Sequence, residues 1–233
     1  MVFFHKASNN LARRTLIFTS CTLISRLYSI LTIIIMEAFF PSVPKYDVDE
    51  LPVDVYSAPH PQSVRTRSGS SLKDILALTF LWLVSAALQA GVDCQKIRLI
   101  VHLLSTFTII DYLQELGRGG RDGKPFASIL LYSSVQIGQM KKDDTLRKGP
   151  PNPLIKYLTL QTCRRQYLFD CFDTRGQLPS KGHLCCDNCR SDCDCGCKND
   201  PNFVFEWPDW SVPNVQPRTL ADQLDILNVF MPT

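Results

Sequence analysis

Gln114-Glu-Leu-Gly-Arg-Gly-Gly-Arg-Asp-Gly123 begins in the last turn of Ile109 to Leu116, a short apolar run at helical spacing, and sets two arginines in a glycine-rich turn. Arginines three apart in a helix or helical turn share one side. Guanidinium is the side-chain group best matched to fork-like contact with phosphate oxygens, so Arg118 and Arg121 form a candidate phosphate-reading pair. Gly117, Gly119, Gly120 and Gly123 let backbone and ligand approach closely. Taken alone, an Arg-x-x-Arg pair is more often a solvated basic loop. Its reading therefore rests on its surroundings.

Working outward, Ala127-Ser-Ile-Leu-Leu-Tyr132 downstream and Lys96-Ile-Arg-Leu-Ile-Val-His102 upstream read as strands. Arg14-Thr-Leu-Ile-Phe-Thr-Ser20 is rich in β-branched and aromatic residues, and Cys21 to Phe40 carries enough Leu, Ile and Met for a buried helix. Val53-Asp-Val-Tyr-Ser57 alternates as a short strand, and Leu78 to Ser85 is an apolar strand. Gln62 to Leu76 is polar, and Gly69 with the neighbouring serines weakens any helix there. Strands alternating with helices predict an α/β fold with a parallel sheet covered on both faces.

With 45% hydrophobic and 20% charged residues among 233, the chain has the composition of a soluble globular protein. A net charge of +3 is too small to imply a nucleic-acid partner by bulk electrostatics, so such contacts depend on where charge is placed. Leu16 to Phe40 is interrupted by Arg26 and Glu37. Ile75 to Val92 has 18 uncharged residues, the minimum for a membrane span, and reads equally as a buried strand followed by a packed turn. Met1 to Ala12 lacks the order of a signal peptide. The expectation is an intracellular, nuclear or otherwise, protein with no membrane partner.

Between Met140 and Pro153, Lys141-Lys-Asp-Asp144 gives way to Gly149-Pro-Pro-Asn-Pro153, which cannot continue a helix. The predicted organisation is an unassigned 1–12, a lobe over 13–139, a linker over 140–153, a second unit over 154–197 and a tail over 198–233. In the second unit, Leu154 to Phe172 reads as one helix, with Tyr157, Leu160, Cys163, Tyr167 and Cys171 near one face.

Eight of the ten cysteines lie between Cys163 and Cys197, which argues for a local metal site over a disulfide framework. Cys186-Asp-Asn-Cys189 is a C-x-x-C knuckle suited to tetrahedral zinc, and Cys163 supplies a third thiolate from upstream. Cys171, roughly 12 Å further along a continuous helix, belongs to the core. The candidates for a fourth ligand are His183, Cys185 and Cys193. The even spacing His183-x-x-Cys186-x-x-Cys189 favours His183, since Cys185 adjoins another ligand.

Together these residues resemble the RecQ family of DNA helicases over approximately 13–195, the second RecA-like lobe plus a small helical zinc-binding subdomain. Gln114-Glu-x-Gly-Arg-x-Gly-Arg-Asp-Gly123 is similar to helicase motif VI, Cys163-Arg-Arg165 with Cys186-Asp-Asn-Cys189 is similar to the zinc site, and Thr15-Leu-Ile-Phe-Thr-Ser-Cys21 is similar to motif IV. The resemblance implies that Arg121 is the arginine finger sensing the ATP γ-phosphate, with Arg118 its companion and Gln114, Gly117 and Gly120 in the nucleotide interface. It implies a phosphate contact from Ser85 and zinc on Cys163, Cys186 and Cys189, to which the spacing adds His183; Arg164 and Arg165, with Lys181 and Arg190, stand near that site with charge suited to DNA phosphates.

The chain also departs from the family. Leu88-Gln-Ala90 replaces the aromatic and glycine of motif V, although Gly91 and Asp93 persist. No stretch reads G-x-x-x-x-G-K-S/T, the Walker A cradle, and no Asp-Glu-x-His box follows a strand. The resemblance thus implies part of an ATP-dependent 3′-5′ DNA helicase acting in repair or recombination. ATP and magnesium would enter only with the missing first RecA-like lobe, and the chain alone would not hydrolyse ATP. The alternative is a non-catalytic, zinc-stabilised module that binds DNA or protein.

Overall fold

The computed structural model describes residues 14–39, 52–74, 79–85, 88, 92–94, 96–103, 108–146, 149–172 and 185–193. Five parallel strands, β1 (Thr15–Phe18), β2 (Val53–Tyr56), β3 (Leu81–Val84), β4 (Leu99–Leu103) and β5 (Ala127–Leu131), form one sheet in the order β2-β3-β1-β4-β5. Phe18 pairs with Val84 on one side and with His102 on the other. Side chains alternate across the pleat. Leu16, Phe18, Trp82, Val84 and Ile100 pack on one face, and Ile17, Leu81, Leu83 and Val101 on the other. Burial on both faces is why these strands read as continuous apolar runs, and the result is the expected α/β architecture built on a parallel sheet.

Helix α1 (Cys21–Phe39) covers the second face through Ile24 and Ile35. Helix α2 (Gln62–Lys73) covers the first through Leu72, in a stretch whose serines and Gly69 argue against a helix. Tertiary contacts override that propensity. The Ser68 hydroxyl donates to the Val55 carbonyl at 2.8 Å, the Ser71 hydroxyl donates to Asp54 at 3.3 Å, and Trp82 Nε1 donates to Ser71 Oγ at 3.0 Å. Arg14, stacked on Trp82 at 4.5 Å, donates to the carbonyls of Leu72 and Asp74 and so closes the end of α2. These carbonyls are the ones a helix leaves without partners.

Beyond the sheet come α3 (Ile109–Leu116), α4 (Ser134–Leu146), α5 (Pro153–Thr159), α6 (Arg164–Cys171) and α7 (Asp187–Ser191). Helix α4 enters the stretch read as a linker. The single helix expected over Leu154 to Phe172 is instead two. Helix α5 starts on an Asn152 cap with Pro153 at its first turn and ends at Leu160, whose backbone is extended. The break is filled from elsewhere, because Asn188 Nδ2 donates to the carbonyls of Leu160 at 2.9 Å and Thr162 at 2.7 Å. Cys163 then caps α6, and Cys171, expected in the core, is exposed. Ile109, Tyr112, Leu154, Tyr157 and Leu158 form a third core that joins α3 to α5. Residues 1–12, Ile75 to Leu78, Gly91, His183 and the 198–233 tail lie outside the described residues. Among the described residues no helix is long and apolar enough to cross a membrane.

Candidate nucleotide and metal sites

Thr108 starts α3 with a capping box, its hydroxyl oxygen accepting from the Asp111 amide at 3.2 Å. Ile109, Tyr112 and Glu115 face inward while Gln114 is exposed. The helix stops at Gly117, and the Arg118 and Gly119 amides donate to the carbonyls of Glu115 and Leu116 at 3.1 and 3.0 Å. Gly120 and Gly123 then take φ of 62° and 76°, in the left-handed region that glycine tolerates. A Cβ at Gly120 would meet the Lys124 carbonyl at 2.8 Å, and one at Gly119 would collide with the Phe126 ring. The Gly120 amide donates to the Ile97 carbonyl at 3.3 Å, and Arg98 pairs with Asp122. The turn therefore sits beside the amino ends of β4 and β5.

The two arginines leave this turn differently. Arg118 is buried, 7% exposed, and its guanidinium donates to the Val92 carbonyl at 2.8 Å. Arg121, with a side chain 35% exposed, donates to Asp93 Oδ1 at 2.8 Å and to the Gly117 carbonyl at 3.1 Å. They are not successive positions of one helix face, yet both converge on residues 92–93. Ser85, by contrast, is buried just past the carboxyl end of β3, with its amide bonded to the Tyr56 carbonyl at 3.2 Å. In a parallel sheet that is the opposite edge from the arginine turn.

Sequence reading missed a set of buried polar groups behind the turn. His102 Nε2 lies 3.0 Å from Glu115 Oε2, with both side chains at most 1% exposed. The imidazole stacks on Phe18 at 5.2 Å and meets the Tyr112 ring edge-on at 4.9 Å. The Tyr112 and Tyr157 hydroxyls are 3.2 Å apart, and burial pushes both phenols above their ordinary range, so both are neutral. The only signal in the sequence was that Glu115 falls on the apolar side of an otherwise amphipathic helix.

The cysteine site has four corners among the described residues: Cys163, Cys185, Cys186 and Cys189, whose sulfurs lie within 4.8 Å of one another. Cys185, set aside for adjoining another ligand, is 3.6 Å from Cys163, while His183 lies outside the described residues. A turn at Cys185 followed by extended backbone at Cys186 lets adjacent residues aim at one point. The Cys163 and Cys186 sulfurs each accept a backbone amide at 3.5 Å, from Gln166 and Cys189. Burial pushes the Cys163 thiol up, but the Gln166 amide and the Cys185 and Cys189 thiols outweigh it and leave it lowered. Burial and neighbouring thiols push Cys185 and Cys189 up. Four sulfurs this close compete for negative charge unless a cation is shared among them, and the set fits a soft divalent ion in tetrahedral geometry.

Of the two arginines that follow Cys163, Arg164 is already committed. It donates to Asp187 Oδ1 at 2.7 Å and to the Tyr157 carbonyl, and lies over the Tyr157 ring at 5.5 Å. Asp187 holds its carboxylate below the usual range, since the Arg164 contact outweighs burial. Arg165 is exposed.

No family model matches the chain. It is 30% identical over 112 residues to the ATP-dependent DNA helicase RecQ of Pasteurella multocida, covering 44% of this chain and 17% of that protein. The ATP-dependent DNA helicase RecQ of Haemophilus influenzae is 28% identical over 114 residues, again 44% and 17%. The RecQ-like DNA helicase blm-1 of Caenorhabditis elegans is 28% identical over 119 residues, 46% of this chain and 12% of that one. The chain spans a fifth or less of the length of each of these relatives. A solved structure of the Mycobacterium smegmatis helicase Lhr, bound to ssDNA and AMP-PNP, is 21% identical, covers 62% of this chain and 19% of that one, and has a TM-score of 0.43.

Proposed function

We propose that this chain, a RecQ-family helicase relative over about half its length, supplies the arginine side of an ATP site that is completed by a lobe bearing a Walker A motif. One observation carries the reading. Arg121 is held by an exposed ion pair, whose net worth is about 0–1 kcal/mol, so a γ-phosphate can take its guanidinium at little cost. Arg118 braces the 92–94 segment from inside, and Gln114 stands exposed one helical turn earlier. Phosphoryl transfer needs the nucleotide and magnesium held by one surface and the developing charge met by another.

In this reading Cys163, Cys185, Cys186 and Cys189 hold zinc, which supplies folding free energy to the helices around it and no chemistry. DNA lies toward Ser85 at the carboxyl edge of the sheet and toward Arg165 and Arg190 near the knuckle. Arg164 is withdrawn from that set because its Nε and Nη1 are engaged by Asp187 and the Tyr157 carbonyl. In the assembled enzyme, unwinding follows the family's 3′-5′ polarity.

The test is ATP hydrolysis with single-stranded DNA, measured on the purified chain and on the chain mixed with the first lobe of the Pasteurella multocida relative. The expected outcome is turnover only in the mixture, reduced about 10³-fold or more by Arg121→Ala. Robust turnover by the chain alone, or full activity of the variant, overturns it. The second reading, a DNA-binding module without hydrolysis, is favoured by exposed Arg165. It is distinguished by DNA binding that falls steeply with salt while the mixture stays inactive.

A further inference from the structure

Between the cysteine cluster and the arginine turn runs an unbroken series of contacts that neither site requires for itself. Asp187 lies inside the knuckle, between Cys186 and Cys189, and its carboxylate accepts from Arg164 at 2.7 Å. Arg164 rests on Tyr157 through the ring and the carbonyl. Tyr157 meets Tyr112 through hydroxyls 3.2 Å apart and rings 5.3 Å apart. Tyr112 meets His102 at 4.9 Å, and His102 meets Glu115 at 3.0 Å. Glu115 is two residues before Gly117, and its carbonyl accepts the Arg118 amide at 3.1 Å.

Every link after Arg164 is buried: Tyr157 is 7% exposed, Tyr112 3%, His102 0% and Glu115 1%. Close-packed interiors change by discrete rearrangement, not by gradual deformation. The outer end of the series is the one part that is conditional. Asp187, 58% exposed, is placed on Arg164 from the first residue of the five-residue helix α7, and α7 is capped by the cluster sulfur of Cys186. A helix this short has no stability of its own in water.

We infer that Asp187, Arg164, Tyr157 and Tyr112 are positioning residues, through which metal occupancy of the cysteine cluster fixes the arginine turn at Gly117–Gly123. With the metal bound, α7 holds Asp187 on Arg164, Arg164 holds Tyr157, and the tyrosine pair holds His102 and Glu115 at the root of the turn. Without it, Arg164 loses its carboxylate partner and the support behind Glu115 loosens. The meaning of this coupling for ATP rests on the reading of Arg121 given above. The coupling itself does not.

The experiment uses the full nitrogen-15-labelled chain loaded with zinc, and follows amide hydrogen exchange at Gly119 and Gly120, with no nucleotide or DNA present. The Thr19 amide, bonded to the Val84 carbonyl at 3.0 Å on the opposite edge of the sheet, is the internal reference. Asp187→Asn keeps all four thiols. It is expected to accelerate exchange at Gly119 and Gly120 roughly 5- to 150-fold, the range of couplings between sites, while zinc remains bound and Thr19 is unchanged. Asp187→Glu restores the slow rates. Tyr112→Phe, remote from the thiols, accelerates the same two amides and removes any further effect of chelation. Unchanged Gly119 and Gly120 rates in Asp187→Asn, or equal acceleration at Thr19, overturn the inference. An arginine turn that proves not to serve ATP leaves these rates, and the inference, as they stand.

Discussion

Truncating Arg118 and truncating Arg121 remove different things. Arg118 is 7% exposed and donates to the Val92 carbonyl. Arg118→Ala leaves that acceptor without its donor inside the fold and is expected to cost about 1–3 kcal/mol in urea unfolding. Arg121→Ala breaks two exposed contacts, the pair with Asp93 and the bond to the Gly117 carbonyl, and is expected to cost less than about 1 kcal/mol by the same measurement, so its effect on turnover is free of a folding defect. Gly120→Ala forces a side chain into φ of 62° against the Lys124 carbonyl. It is expected to cost at least about 1–2 kcal/mol. The turn also carries a pH dependence. The hydrogen bond from Arg98 holds the Asp122 carboxyl down to about 2, against an ordinary 3.8. A depressed carboxyl stabilises the fold above its ordinary value and stops doing so as pH falls through its folded one. Protection of the Gly123 amide, bonded to the Gly120 carbonyl and read as its exchange rate relative to the unstructured rate at each pH, is therefore expected to fall as pH drops from about 4 to about 2.

At the scale of elements, α2 and the α5–α6 break show local preference yielding to what each segment packs against. Helix α2 exists because Leu72 enters the core under β1 and β3 and because Ser68 and Ser71 dock on β2. Leu72→Ala is expected to cost about 2–5 kcal/mol, read as a lowered melting temperature. The break after α5 exists because Asn188 of the knuckle takes the carbonyls of Leu160 and Thr162. Asn188→Ala removes both bonds, at an expected cost of about 1–3 kcal/mol confined to thermal unfolding of the helical unit.

For the molecule as a whole, the sheet and the helices after it share a core but not a source of stability. The two faces of the sheet are filled by α1 and α2, whereas α5, α6 and α7 depend on the third core and on the cysteine cluster. Chelation is expected to lower helical circular dichroism and amide protection in α5, α6 and α7 while the β1 amides keep theirs; unchanged melting after metal removal would refute the metal site. Period and composition alone determined the alternation of strands and helices, the glycine-rich arginine turn and the crowding of thiols, because these are properties of neighbours along the chain. Strands buried on both faces announce themselves by apolar runs whatever their order in the sheet. Tertiary structure decided what depends on distant residues. It set the order β2-β3-β1-β4-β5, and it made the serines of α2 anchors for a helix. It brought Cys185 to the fourth corner of the cluster, turned Arg118 inward and left Arg121 outward. The His102–Glu115 pair and the tyrosines behind it are 13 and 45 residues apart in sequence, and only the packing of α3 between the sheet and α5 makes them neighbours.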